Sequence, residues 1–215
     1  MYILGIVGSN RKGGNTDILI QHALAAAEDQ GMATKRIYLS DYKIGDCTGC
    51  ERCRTSFVCA MKDGMQDIYP LIESADAVVI GSPTYFYTVT GIVKNFIDRL
   101  YCYELFDESD RSVWLGRHEV AGIKYAATIA VCEQETEEDM GYTSEVLGKS
   151  LTAVGYRVVA ELKAFHAFAK GDVLHNHRAL DEATTVGKRL AKILRLRCKA
   201  EDIIANDANP DSTTV

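Results

Sequence analysis

Apolar positions follow two rhythms along this chain. Short apolar runs cover Tyr2–Val7, Ala77–Ile80 and Tyr125–Val131, Ala33–Leu39 alternates, and with Arg157–Leu162 these stretches predict five strands. Between them apolar side chains return at helical spacing. Over Asp17–Gln30 the residues Ile20, Ala23, Leu24 and Ala27 fall at i, i+3, i+4 and i+7. Asp63–Ser74 reads as a short helix, with Pro70 tolerated only near its start or at a kink. Gly91–Tyr103 gathers Ile92, Phe96, Arg99 and Leu100 on one side. Thr143–Gly155 and Leu180–Ile193 complete the set, the last presenting Leu180, Ala183, Gly187, Leu190 and Leu194 on one face. Four stretches have no such rhythm: a cysteine-rich loop, Ser40–Lys62; a polar, irregular stretch anchored by Trp114, Leu105–Gly122; an acidic loop, Cys132–Gly141; and Ala164–His177. Asn206–Val215 has the composition of a disordered tail.

Strands that alternate with helices and are apolar on both faces predict a parallel sheet covered on both sides. The expected architecture is an α/β three-layer sandwich with a five-stranded parallel sheet in the flavodoxin-like order 2-1-3-4-5. It forms one domain over residues 1–205. Ligands then bind at the carboxyl ends of strands 1 and 3, where the winding reverses.

The loops leaving those two ends carry the chemistry. Gly8-Ser9-Asn10-Arg11-Lys12-Gly13-Gly14-Asn15-Thr16 joins a buried strand to a helix, which leaves backbone N–H groups free to meet an anion. Ser9, Asn10, Asn15 and Thr16 add neutral donors, and Arg11 and Lys12 add positive charge. A nucleoside-triphosphate loop needs Gly-Lys followed by Ser or Thr; Gly14 and Asn15 stand there instead. The G-x-G-x-x-G spacing of dinucleotide sites is also missing. A phosphomonoester fits better, with a plain helix cap as the alternative. Gly81-Ser82-Pro83-Thr84-Tyr85-Phe86-Tyr87 places three aromatic rings beside that site, a slot for a flat cofactor. Phosphate site and aromatic slot together point to FMN. Any one ring is as well explained by packing in the core or at a subunit contact.

Net charge is −6, which argues against nucleic acid or an anionic membrane as partner. No apolar window approaches a membrane span, and the expected compartment is the cytoplasm. Seven cysteines in such a protein suggest metal or redox chemistry. Cys47, Cys50, Cys53 and Cys59 form C-x2-C-x2-C-x5-C, close to the cluster-binding run of bacterial ferredoxins. The spacing favours a [4Fe-4S] cluster. A redox-active or vestigial cysteine loop and, last, zinc are the alternatives. Cys102, Cys132 and Cys198 read as buried free thiols, and His175 and His177 as an exposed pair.

Gly8-Ser9-x-Arg11-x-x-Gly14-Asn15-Thr16, Gly81-Ser82-Pro83-x-Tyr85 and Lys94-x-Phe96-x-Asp98-Arg99 resemble the NAD(P)H-dependent FMN reductases, over roughly residues 1–165. The compact cysteine quartet is similar to the iron-sulfur flavoprotein branch. The resemblance implies FMN contacts at Ser9, Arg11, Asn15, Thr16, Pro83, Thr84, Tyr85 and Phe86, with Asn10 and Gly14 on the same loop. Two departures stand out. The family's Gly-rich loop after the fourth strand is absent, and Lys62-Asp63-Gly64-Met65 replaces Lys-Asp-Asp-Met. The expected activity is electron transfer between FMN and a cluster, with no side chain marked as acid, base or nucleophile. A cluster-free NAD(P)H-dependent FMN or quinone reductase is the runner-up, and a flavin-binding or metal-stabilised regulatory module without turnover a third class. The expected partners are NAD(P)H or a ferredoxin-like protein and further copies of the chain, as dimer or tetramer, with Leu105–Gly122 near an interface.

Overall fold

The computed structural model describes residues 1–207. Its central sheet holds β1 (Tyr2–Val7), β2 (Ala33–Tyr38), β3 (Ala77–Pro83), β6 (Lys124–Val131) and β7 (Tyr156–Ala164), in the order β2-β1-β3-β6-β7. All four pairings are parallel. This is the expected flavodoxin-like sheet: β6 and β7 are the fourth and fifth strands of the sequence prediction. Register places Val7 opposite both Tyr38 and Gly81, and Pro83 opposite Val131. The loops after β1, β3 and β6 therefore leave from one rim.

Burial on both faces explains the continuous apolar runs. Ile3 and Val7 of β1 pack into the layer of α1 (Asn15–Glu28) and α7 (His177–Asp207). Leu4 and Ile6 point the other way, onto α2 (Met65–Ser74), α3 (Gly91–Arg99) and α6 (Thr143–Ala153). Each strand thus feeds two cores.

Several segments differ from the sequence reading. Pro70 is the sixth residue of α2, one turn in, where the lost N–H costs a single bond to Gln66. The stretch Leu105–Gly122 is not irregular. It contains the antiparallel pair β4 (Glu104–Phe106) and β5 (Trp114–Gly116), then the short α4 (Arg117–Val120). Trp114 faces Phe106 across the pair, with ring centroids 6.4 Å apart. So short a hairpin gives no alternation to read. The acidic loop holds one turn of helix, α5 (Glu137–Met140), closed by a reciprocal Thr136–Asp139 capping box. The closing helix is longer than its apolar stripe. Its buried face stops at Leu194, and the helix continues to Asp207 in solvent, with Leu196, Ile203 and Ile204 exposed among charged residues. Asn206 and Asp207, expected in a disordered tail, end this helix, and residues 208–215 lie outside the described part. No helix of the described residues is long and apolar enough to cross a membrane.

Candidate functional site

The loop after β1 can exist only because Gly8 has no side chain. A Cβ there would lie 2.1 Å from Val93 Cγ2 and 2.6 Å from the Gly81 carbonyl oxygen. Gly8 instead donates its N–H to that oxygen at 2.8 Å. Thr90, the N-cap of α3, donates its hydroxyl to the Gly8 carbonyl at 2.8 Å. At the start of α1, Gly14 offers no capping side chain, so the first N–H groups of the helix stay open toward the rim. Gly13 donates to Asp17 Oδ2 at 2.7 Å, and Asp17 is neutralised by Arg36 at 3.0 Å.

A cleft of about 320 Å³ opens above this loop. Ser9, Arg11, Gly14, Asn15 and Thr16 form one wall, and Pro83, Thr84, Tyr85 and Phe86 form another. The structure therefore brings together nine of the ten expected cofactor residues. Asn10 is exposed and is not among those lining the cleft. Glu133, from the acidic loop, also reaches it.

The aromatic wall is a strained turn. Phe86 and Tyr87 both have positive φ, 46° and 65°, and Tyr85 and Thr88 exchange backbone hydrogen bonds around them. Positive φ at both central residues is a type I′ turn, normally built from Asn and Gly. Aromatic residues in that region cost about 1–3 kcal/mol each. The surroundings hold the turn: Tyr142 donates to the Tyr87 carbonyl at 2.7 Å, and Thr84 meets the Thr143 hydroxyl at 2.9 Å. The outcome is Phe86 projecting at 97% exposure beside the cleft, with Tyr85 and Tyr87 also exposed. None of the three rings is used in the core.

Sequence reasoning missed the third wall. The segment after β7 folds back over the first loop and contributes Ala167, Phe168 and Lys170 to the cleft. Asn15 fastens it. Its amide nitrogen donates to the carbonyls of Ala167 (3.0 Å) and Ala169 (2.9 Å), and its oxygen accepts from Gly171 and Val173 N–H groups (3.0 and 3.2 Å). Both side-chain donors and both lone pairs are used, so the Asn15 amide positions the wall, while the residue itself still lines the cleft. The missing rhythm of Ala164–His177 was the available signal.

The cysteine loop lies on the α2–α3 side. Its stems are clasped by Arg99, a charged residue on an otherwise apolar helix stripe. The Arg99 side chain has no exposed surface. It donates to Asp63 Oδ2 at 2.6 Å and Oδ1 at 3.1 Å, to the Gly45 carbonyl at 3.0 Å and to Cys59 Sγ at 3.3 Å. Asp63 closes the ring by accepting the Gly45 N–H at 2.9 Å. Burial pushes the Asp63 carboxyl up, but Arg99 and the Gly45 and Met65 N–H groups outweigh it and hold the pKa below the ordinary value. Within the loop Cys53 and Cys59 are half-buried, while Cys47 and Cys50 are exposed; of the other three, Cys102 and Cys132 are buried as expected, but Cys198 is exposed, because it lies past Leu194 where α7 leaves the core. Burial raises the Cys53 pKa. Among the described residues no group of three or more His, Cys, Asp or Glu is arranged to hold a metal ion. The donor set suits an iron-sulfur group, four thiols with a buried cation behind one of them. The sulfurs do not converge on a centre.

Residues 1–136 match the family of NADPH-dependent FMN reductases. The chain belongs to that family. It is an FMN-dependent oxidoreductase with a flavodoxin-like fold. An iron-sulfur flavoprotein of Archaeoglobus fulgidus is 34% identical over 159 residues, covering 74% of this chain and 68% of the relative. An iron-sulfur flavoprotein of Methanocaldococcus jannaschii is 28% identical over 205 residues, covering 91% and 98%. Among solved structures, the NAD(P)H:quinone oxidoreductase of Methanothermobacter marburgensis superposes with a TM-score of 0.67 at 17% identity, over 88% of this chain and 98% of that one. The last likeness is one of fold.

Proposed function

We propose that this FMN reductase-family protein is an electron-transfer oxidoreductase that holds FMN in the rim cleft and a [4Fe-4S] cluster in the Cys47–Cys59 loop. The observation that carries the flavin site is the meeting of three walls at the β1/β3 switch point: a loop of open N–H groups, an exposed aromatic turn and the Asn15-fastened segment. FMN supplies two-electron uptake and one-electron release, with NADPH the donor the family name suggests. The chain supplies the phosphate cradle, a surface for the ring and a frame that separates the two loops. Cys47, Cys50, Cys53 and Cys59 would hold the cluster, supported by their C-x2-C-x2-C-x5-C spacing and by the relatives named as iron-sulfur flavoproteins.

One observation favours a second reading, a cluster-free NADPH-dependent FMN or quinone reductase: the four sulfurs do not converge. Anaerobic purification with iron, acid-labile sulfide and flavin analysis separates the two. The leading reading expects about four irons and four sulfides per FMN, cluster loss in Cys50→Ala with FMN retained, and no iron loss in Cys102→Ala, Cys132→Ala or Cys198→Ala. Wild type without labile sulfide leaves the cluster-free reductase.

A further inference from the structure

We infer that Lys170 is the phosphate countercharge of the flavin site and makes it select FMN over riboflavin. The inference rests on the FMN reading. It starts from where the loop's own cations go. Lys12 is drawn away: its Nζ pairs with Asp41 at 2.6 Å and lies over the Tyr38 ring at 4.9 Å. The Arg11 guanidinium is occupied by the Phe168 carbonyl at 3.0 Å and leans over the Phe168 ring at 5.8 Å. The nearby Asp17 carboxylate is already matched by Arg36. A dianionic phosphate at the first turn of α1 thus finds backbone N–H groups, hydroxyls and, from the loop, only the Arg11 guanidinium, one of whose N–H groups is held by the Phe168 carbonyl.

Lys170 reaches that place from far along the chain. A Cβ built on Gly13 would lie 3.3 Å from Lys170 Nζ and 3.2 Å from its Cε. The ammonium therefore stands directly against the glycine turn, and Lys170 lines the same cleft as Ser9, Gly14 and Thr16. Gly13 has φ of +68°, so this turn presents backbone alone to the lysine. Among the described residues the Lys170 side chain has no ion-pair partner. Its position is not accidental, because Asn15 binds the backbone on both sides of it, at Ala169 and Gly171. The clasp that completes the third wall thereby delivers one positive charge to the anion site. A point charge with three donors, set beside oriented N–H groups, suits a terminal phosphate. Riboflavin, which ends in a hydroxyl, gains nothing from it.

The test titrates full-length protein, stripped of flavin, with FMN and with riboflavin, following flavin fluorescence. Wild type, Lys170→Gln, Lys170→Arg and Lys12→Gln are compared, with circular dichroism to verify folding. Lys170→Gln should bind FMN roughly 10- to 100-fold more weakly and riboflavin as wild type does. Lys170→Arg should restore most of the loss, and Lys12→Gln should stay within about threefold, as for a surface pair. Equal FMN affinity in wild type and Lys170→Gln overturns the inference while leaving the FMN site intact. So does an equal loss for FMN and riboflavin, since Lys170 would then act on the fold and not on the phosphate. Wild type that binds neither flavin overturns the FMN reading itself, and this inference with it.

Discussion

Removing the clasp under the cysteine loop should cost a large part of the stability of this protein, and unequally from its two ends. Arg99 has no exposed side-chain surface, whereas Asp63 keeps 14%. Deleting one member of a buried pair leaves the other charge uncompensated, at about 3–5 kcal/mol. In Arg99→Gln the orphan is Asp63, which can turn toward water. In Asp63→Asn the orphan is a guanidinium with no route to solvent, so this variant should sit at the upper end of the range. The double variant buries no charge and should cost less than the sum of the two. With a urea m-value of about 2–3 kcal/mol/M, each single change lowers the midpoint by about 1–2 M, out of a total stability of about 5–15 kcal/mol. Urea unfolding followed by circular dichroism gives the three values, and limited proteolysis gives the local effect, since residues 45–63 should be nicked first. Single variants costing under about 1 kcal/mol, or strictly additive costs, would show that the clasp is a surface-like ion pair and refute the reasoning.

Other outcomes follow from the same structure. His118 is buried against Tyr156, and burial, helped by Lys124 and Arg117, lowers its pKa to about 4. Its folded pKa lies below the unfolded value of about 6.5, so its contribution is whole above pH 6.5 and is lost as pH falls to 4, about 3 kcal/mol in all. His118→Asn should flatten that part of a stability–pH curve. Thr90→Val removes the cap of α3 and its bond to Gly8, and should cost about 1–2 kcal/mol by thermal melting, with FMN bound more weakly. Asn15→Asp sets a carboxylate against the carbonyls of Ala167 and Ala169, and should raise hydrogen exchange over residues 165–173, with a loss of about 1–3 kcal/mol. Light scattering at micromolar concentration should report a dimer or tetramer, because Phe86 and the aromatic hairpin leave apolar surface exposed; a monomer would count against an interface there.

The parts legible in the sequence are those where one side chain's environment repeats at a fixed period. β1, β3 and β6 are legible this way, because burial on both faces forces unbroken apolar runs, and so is the stripe of α7; the edge strand β2, with Ala33 and Lys35 exposed, shows only as alternation. The loops after β1 and β3 were legible from composition, since glycines and aromatics at a switch point have few other uses. What stayed hidden depends on pairs far apart in sequence. Arg99 looked like an interruption of an apolar face, and only Asp63, 36 residues away, makes its burial possible. Asn15 stands in the anion loop, and only the carbonyls near Ala167 show that its side-chain amide fastens the third wall. Lys12 looked like the charge of the anion loop until Asp41 took it. No local periodicity records such partnerships.

The four bonds of Asn15 also order events in time. The first loop of the chain is translated within the first seconds of synthesis at about 5–20 residues per second. Its partners lie 152 to 158 residues later. Until the stretch through Val173 has emerged, the cradle has two walls, the Asn15 amide is unsatisfied and Lys170 is absent. Flavin then has little to hold, so it cannot template the early steps of folding. At the proposed site cofactor capture becomes a late event, one that waits for contacts of long sequence separation to form.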